Sequence, residues 1–395
     1  MTIASASTTV TCHACSGGDL QDFAVPGGLP AVTSDCRPWP TRPDIALCRS
    51  CGLAQKRIDG AWRSEAERVY ASYALYHQTA DGTEQVIFDQ ATGKGVPRSE
   101  LMFNALLERF ALADRGRMLD LGCGTGPTLR AFSKLMRGWE LNGFDPHLPD
   151  RERVRQIPGV KQVYEGRLEQ IDGAFELVSA VHVLEHVTEP LAFLRGARRL
   201  LQQDGLLLVQ VPYFPDTPFD LTVFDHCSHF TVRGIERLFE AAGLKVELVS
   251  TSLLPKEITV VARVADAEVA LPAPGAAWLA EDTLAVQACL DWLHELQVQA
   301  RAQPGGQIGV FGTSIGGNWL LGLLGERIAF FVDEDPGRAG STYRERPVYA
   351  PARVPAGCRV LMPLPHALAQ RIKLRLDPQH FELVLPPSYT ASARN

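Results

Sequence analysis

Apolar and polar positions follow two rhythms along most of this chain. From residue 98, RSELMFNALLERFAL spaces its apolar residues as one face of a helix, and RMLDL then begins a series of short apolar runs. The series continues through WELNGFDPH, AFELVSAVHVLEHV, GLLLVQVP and the pair KVELVSTSLL and EITVVARV, with helical stretches such as TLRAFSKL and TVRGIERLFEAAG between them. Strands alternating with helices predict an α/β fold with a mostly parallel, doubly wound, Rossmann-like sheet.

The rhythm pauses at ALPAPGAA, residues 270–277, which reads as a linker. WLAEDTLAVQACLDWLHELQVQARAQ follows as one amphipathic helix. After Pro304 and two glycines, a second α/β unit begins: QIGVFGTSIGGNWLLGLLG is strand, Gly turn and helix, RIAFFVDEDP a strand ending in acids, and CRVLMPLP and FELVLPP two more strands. The two units are not visible repeats of each other. Ahead of both, residues up to about 62 are rich in Gly, Pro, Ser and Thr and lack helical periodicity. The expected organisation is a small module over 1–62, a central α/β domain with a helical lead-in over 63–265, a linker and helix over 266–303, and a C-terminal Rossmann-like domain over 304–395.

Composition narrows the function. The chain has 395 residues and 46% hydrophobic content, enough to bury real cores, which excludes a disordered chain. Its 39 Lys and Arg against 45 Asp and Glu give a net charge of −6, so no nucleic-acid partner is expected. No apolar run is long enough to span a bilayer, so no membrane partner is expected either. The N-terminus lacks the basic and apolar regions of a signal peptide, and a cytoplasmic location is the expectation.

Five of the nine cysteines fall in the first 51 residues. Cys12 and Cys15, and Cys48 and Cys51, form two Cys-x2-Cys knuckles, a spacing that suits a tetrahedral four-thiolate zinc site of structural type. Cys36 is left over. His13, inside a knuckle, is a possible substitute ligand that four cysteines make unnecessary.

The most specific motif is Asp120-Leu-Gly122-Cys123-Gly124-Thr-Gly126, after the strand RMLDL and at the start of a helix. Glycines there let the backbone approach a ligand closely. The Gly-Lys-Ser/Thr of a phosphate loop is missing, and the third Gly comes one residue too early for a dinucleotide fingerprint. A carboxylate at the strand end, Asp120, suits a cationic ligand such as the sulfonium of S-adenosylmethionine. Asp145, at the end of the second strand, is placed to hold ribose hydroxyls.

Together these features resemble the class I S-adenosylmethionine-dependent methyltransferases over roughly residues 100–265, including the segment Val181 to Val187 (VHVLEHV) with Pro190 after it. The resemblance implies that Asp120, Gly122, Cys123, Gly124 and Gly126 form the loop along the methionine part. It implies that Asp145, with Pro146 beside it, takes the ribose, that Arg167 and Leu168 flank the adenine, and that His182 lines the cleft. Cys123 is expected as a small filler rather than a nucleophile.

The whole layout resembles a narrower family, the three-part methyltransferases that add a methyl to a ring carbon of nucleotide-linked keto-deoxysugars. That family carries a four-Cys zinc module, a central methyltransferase domain and a C-terminal Rossmann-like domain. Its Tyr-x-Glu-His motif corresponds here to Val223-Phe224-Asp225-His226, which keeps the His and replaces the Tyr and the Glu. The resemblance makes His226 the base and gives Asp225 or Glu185 the task of fixing nearby imidazoles. It gives His186 the developing oxyanion, and it gives Tyr73 or Tyr76 the role of the family's early Tyr. Loss of the motif's Tyr keeps O- or N-methylation of a sugar or other small metabolite open as an alternative; Tyr213 is a candidate replacement phenol. Plainer readings stand beside these. His186 lines the cofactor cleft, Asp225-His226 caps the next helix, and Tyr70, Tyr73 and Tyr76, on one side of a helix, either pack between the N-terminal module and the next domain or form an aromatic wall or phenol donor over the active site. The C-terminal turn GTSIGGN either walls a nucleotide diphosphate site or serves packing alone.

Overall fold

The computed structural model describes residues 10–71, 86–88 (backbone), 95–148, 150–265, 267, 270–271 and 273–388. Its centre is a seven-stranded sheet in the order Val160–Glu165, Glu140–Asp145, Arg117–Leu121, Phe175–Val181, Leu201–Pro212, Glu257–Val264, Leu244–Ser250. The first five strands run parallel and the last two are antiparallel to their neighbours. Sequence order therefore reads 3-2-1-4-5-7-6, and the order reverses beside Arg117–Leu121. That reversal opens the crevice at the strands' carboxyl ends where ligands of such sheets bind. Helices cover both faces, so strands such as Arg117–Leu121 are buried on both sides and show no alternation.

The second α/β unit is a six-stranded sheet: Thr342–Tyr343, Arg346–Tyr349, Ile328–Val332, Ile308–Phe311, Arg359–Leu361, Glu382–Val384. Gly312 (φ 84°) makes its strand-to-helix turn, and a Cβ on Gly317 would stand 2.2 Å from the Gly312 carbonyl oxygen. The helix Ile315–Leu324 is thus packed hard onto its own turn. Asp333, the acid after the next strand, accepts from Thr313 Oγ1 (3.2 Å) and faces Arg338 (3.8 Å), so its carboxylate is engaged within the unit.

The N-terminal segment does not stand apart. Its strands Leu20–Asp22, Ala46–Cys48 and Ala54–Gln55 form a sheet whose fourth member is Ser228–His229, from the loop after the fifth strand of the central sheet. Cys12, Cys48, Cys51 and Leu53 share one core with Leu119, Val209, Phe230 and Ile235. Arg237, on the helix Val232–Ala241, donates to the Cys51 carbonyl at 2.8 Å. A segment this short buries little on its own, and here it borrows its core.

The loop 213–230 is enclosed on three sides. Leu29, Val32 and Leu47 from the N-terminal segment, Leu290 and Leu293 from the long helix Ala276–Arg301, and Trp319 from the C-terminal unit share a core with Phe214, Phe219, Leu221 and Val223. A backbone bridge links Val32 to Val223, and Phe224 N–H donates to the Val32 carbonyl at 2.7 Å.

Ala54 pairs with Leu47 on one side and His229 on the other, a central position that tolerates no missing N–H. Ala54→Pro is expected to cost about 1–3 kcal/mol in urea unfolding. Amide hydrogen exchange is expected to quicken first at residues 227–229. Unchanged protection there would show that the pairing does not hold the loop.

Candidate active site

The Gly-rich loop follows the first strand at the sheet's switch point. Gly122, Gly124 and Gly126 have φ of 71°, 49° and 81°, the left-handed region that disfavours a side chain. The Gly122 and Cys123 N–H groups both donate to the Phe144 carbonyl, at 2.7 and 2.9 Å, which folds the loop onto the second strand. Asp145 ends that strand. Its Oδ2 accepts from Gly124 N–H and its Oδ1 from His147 N–H, both at 3.1 Å, so the carboxylate is aimed while lone pairs remain for further donors. Burial pushes its carboxyl above the usual range.

Asp120 departs from the sequence expectation. It is 1% exposed, and Ser179 Oγ on the adjacent strand donates to its Oδ1 at 2.6 Å. Its carboxylate braces two strands instead of facing the cleft. Cys123 is buried against Gly143, and burial raises its thiol, as befits a filler. Pro146 and Arg167 are exposed, and Arg167 pairs with Glu169 at 3.3 Å. Leu168 starts a short turn and packs over Gly196.

His182 and His186 flank the turn after the fourth strand. His182 has φ 55°, a strained value for a non-Gly residue of order 1–3 kcal/mol. Its N–H donates to the Gln210 carbonyl at 2.9 Å, and its Nδ1 lies 2.9 Å from Glu185 Oε1. Beyond it, Arg98 pairs with Glu257 at 2.6 Å and donates to Gln210 at 3.2 Å. Burial and the Arg98 charge pull His182 down to about 3, keeping the ring neutral. Burial raises Glu185 and Glu257.

The third part is the loop of Pro218–Thr222 and the residues after it, all buried through 230. His226 and His186 rings meet edge to face at 4.6 Å. One polar atom each of Glu185, His186 and His226 lies within 4.8 Å of the others, which marks the point of convergence. Asp225 does not fix His226. Its two oxygens accept from Ser34 N–H (2.8 Å) and Ser34 Oγ (2.5 Å), while its backbone carbonyl lies 3.0 Å from His186 Nδ1. Glu185 does hold a nearby imidazole, that of His182. The group that fixes His226 is Asp220, whose Oδ1 is 2.6 Å from His226 Nδ1 and whose Oδ2 is 2.6 Å from His229 Nδ1. Burial disfavours a charge on His226, but the Asp220 charge and hydrogen bond outweigh it and raise the imidazole above its ordinary value. Burial and the neighbouring His226 lower His186. Burial takes His229 down to about 4.

Asp220 and Ser34 hold positions at the site that the sequence reading did not give them. Tyr70, at the end of the helix Gly60–Ala71, places its hydroxyl 3.1 Å from His186 Nδ1. The three-residue spacing of the tyrosines was its only signal. Tyr73 and Tyr76, the expected phenols, lie outside the described residues. Tyr213 bridges Phe230 by its backbone. Asp220 and Ser34 sit in irregular segments without periodicity, and nothing in the sequence pointed to either.

The four N-terminal cysteines converge. Cys12 Sγ to Cys51 Sγ and Cys15 Sγ to Cys48 Sγ are both 3.6 Å. These distances are far beyond a disulfide of about 2.05 Å. They match the spacing of about 3.8 Å for sulfurs bound tetrahedrally at about 2.3 Å from one zinc ion. His13 stays out of the cluster; its Nε2 lies 2.9 Å from Ser228 Oγ, on the strand beside His226.

Residues 98–249 match the family model described as a methyltransferase domain. The C-methyltransferase NovU of Streptomyces niveus is 26% identical over 220 residues, covering 53% of this chain and 48% of that protein. The ubiquinone biosynthesis O-methyltransferase of Xanthomonas campestris pv. campestris is 30% identical over 116 residues, covering 27% of this chain and 47% of its own length. The chain thus spans about half the length of the curated relatives it matches. Its centre is a class I S-adenosylmethionine-dependent methyltransferase domain. Among the described residues no helix is long and apolar enough to cross a membrane.

A Cβ on Gly122 would stand 2.3 Å from Val183 Cγ2 while φ stays positive. Gly122→Ala is expected to lower stability by about 1–3 kcal/mol and to weaken S-adenosylmethionine binding at least tenfold in calorimetry. Wild-type affinity would place the cofactor away from this loop.

Proposed function

We propose that this chain transfers a methyl group from S-adenosylmethionine to the ring carbon of a nucleotide-linked keto-deoxysugar. The cofactor supplies an electrophilic methyl on a sulfonium. The rest falls to the chain. The Gly122–Gly126 loop leaves room for the methionine end, and Asp145 has lone pairs left for ribose hydroxyls.

The observation that carries the reading is the pair of facing imidazoles. Methylation beside a carbonyl needs a base for the α-proton and a donor for the enolate oxygen. His226, with Nδ1 committed to Asp220, presents Nε2 as the base. Asp220 then stabilises the imidazolium that forms, as a buried carboxylate does behind a catalytic histidine. With the Tyr70 hydroxyl donating to its Nδ1, His186 keeps its one proton on Nε2 and is the group that assists the oxyanion. NovU, whose name records C-methylation, aligns over half of this chain, which supports the same choice.

A second reading is O- or N-methylation of a sugar or other small metabolite. Val223 is buried where the sugar family has its Tyr, and a hydroxyl acceptor needs only the one base. The O-methyltransferase relative, aligned over 27% of this chain, supports this reading.

The deciding experiment incubates the protein with S-adenosylmethionine and nucleotide-linked 4-keto-hexoses in heavy water, alongside the 4-hydroxy counterparts. A methylated keto-sugar, with deuterium in the unreacted ketone at the α-carbon, is expected. Methyl transfer to hydroxy-sugars without exchange would replace the first reading by the second.

We further propose that Cys12, Cys15, Cys48 and Cys51 hold a structural Zn2+. Purified protein is expected to carry one zinc per chain by plasma mass spectrometry. The double variant Cys12→Ser, Cys48→Ser is expected to lose the zinc and about 3 kcal/mol or more of stability. Undiminished metal content would assign it elsewhere.

A further inference from the structure

The loop after the fifth strand holds two buried histidines on one carboxylate, and the proposed chemistry uses only one of them. We propose that Asp220 is a positioning residue that fixes the tautomer of the base His226, with His229 as the anchor that keeps Asp220 in place. This rests on His226 being the base.

The geometry is a bridge. Asp220 Oδ1 lies 2.6 Å from His226 Nδ1 and Oδ2 lies 2.6 Å from His229 Nδ1. A carboxylate only accepts, so each imidazole carries its proton on Nδ1. For His226 that leaves a lone pair on Nε2, which has no protein partner among the described residues, and this is what a base needs. For His229 the consequence differs. The residue is 1% exposed and its Nε2 is buried without a partner. A proton there would be a donor with nothing to accept it, so His229 has one acceptable neutral form. His229 thereby claims one oxygen permanently and leaves the other for His226.

Asp220 itself is 4% exposed and stays ionised, because the two imidazoles outweigh its burial. The buried Lys56, pulled to about 8 by burial, faces the same carboxylate and donates to the Leu221 carbonyl at 2.5 Å. The charged and titratable groups around His226 are Asp220 and Asp225 on its own loop, Glu185, His186 and His182 from the turn after the fourth strand, and His229 beyond the bridge. Of these, Asp220 acts most strongly to raise His226.

Asp220→Asn keeps the shape but turns one acceptor into a donor. His229 has no alternative form, so its Nδ1–H takes the amide oxygen. The amide NH2 then faces His226 Nδ1, which must become an acceptor and move its proton to Nε2. The lone pair is lost from the cleft. A buried Asp to Asn change behind a catalytic His elsewhere costs about 10⁴ in kcat by this route.

The test measures histidine tautomers by nitrogen-15 NMR on the full chain, independently of turnover. In wild type both His226 and His229 are expected as Nδ1–H forms with far-downfield protons. In Asp220→Asn, His226 is expected as the Nε2–H form while His229 is unchanged. With an acceptor, kcat is expected to fall by about 10²–10⁴ with the acceptor KM within twofold. The rising limb of the pH–rate profile is expected to move to lower pH, since a neutral base is required and the raising charge is gone. His229→Asn, which leaves Asp220 charged, is expected to keep that limb near its wild-type position. A wild-type His226 in the Nε2–H form overturns the proposal even if Asp220→Asn fails to fold. So does an Asp220→Asn protein with unchanged tautomer and limb. Correct tautomers in a protein that methylates no sugar would leave the positioning standing and overturn the substrate reading instead.

Discussion

The structure depends on two residues of backbone pairing. Ser228 and His229 lie within the methyltransferase domain's chain, toward the end of the matched segment 98–249, yet they hydrogen-bond as the edge strand of the N-terminal sheet. That short ladder fixes where the preceding residues can go. Lys56 N–H donates to the Cys227 carbonyl, Cys227 N–H to the Glu185 carbonyl, and Phe224 N–H to the Val32 carbonyl. The loop carrying Asp220, Asp225 and His226 is therefore held by backbone bonds from two directions before any side chain is counted.

Such a loop needs this holding because of what it buries. Two carboxylates, two imidazoles and the neighbouring lysine are taken out of water together. Each would be costly alone, and each is tolerable only because a partner of the right kind stands within hydrogen-bond reach. Ser34 supplies both donors to Asp225, and the imidazoles supply both donors to Asp220. In this arrangement the second nitrogen of each imidazole is left over: that of His229 is sealed in the core, and that of His226 is the one assigned to the chemistry.

The central sheet was legible because its strands are apolar runs separated by helices, and the Gly122–Gly126 turn because positive φ leaves a compositional trace. The long helix Ala276–Arg301 and the second α/β unit were visible for the same reason. Asp120 was misplaced because a strand covered on both faces gives no alternation from which to tell cleft from core. Asp220 was missed because Pro218–Thr222 is an irregular turn, and its two histidines stand six and nine residues on, a spacing that only the folded loop makes meaningful. The separate N-terminal module suggested by composition shares its core with the central sheet, since a segment so short in apolar residues had to find its partners elsewhere in the chain.

Because an internal strand of the central domain completes the N-terminal sheet, the two regions are not interchangeable cassettes. The matched segment 98–249 carries His229 but not the strand Ala54–Gln55 that it pairs with, nor the Ser34 that holds Asp225. A recombination event that brought in a new central domain with a different loop would meet an N-terminal sheet shaped for the old one. The loop 213–230 and the strands beside the cysteine knuckles are thereby tied into a single part of the fold. A change in one has to be met by a fitting change in the other.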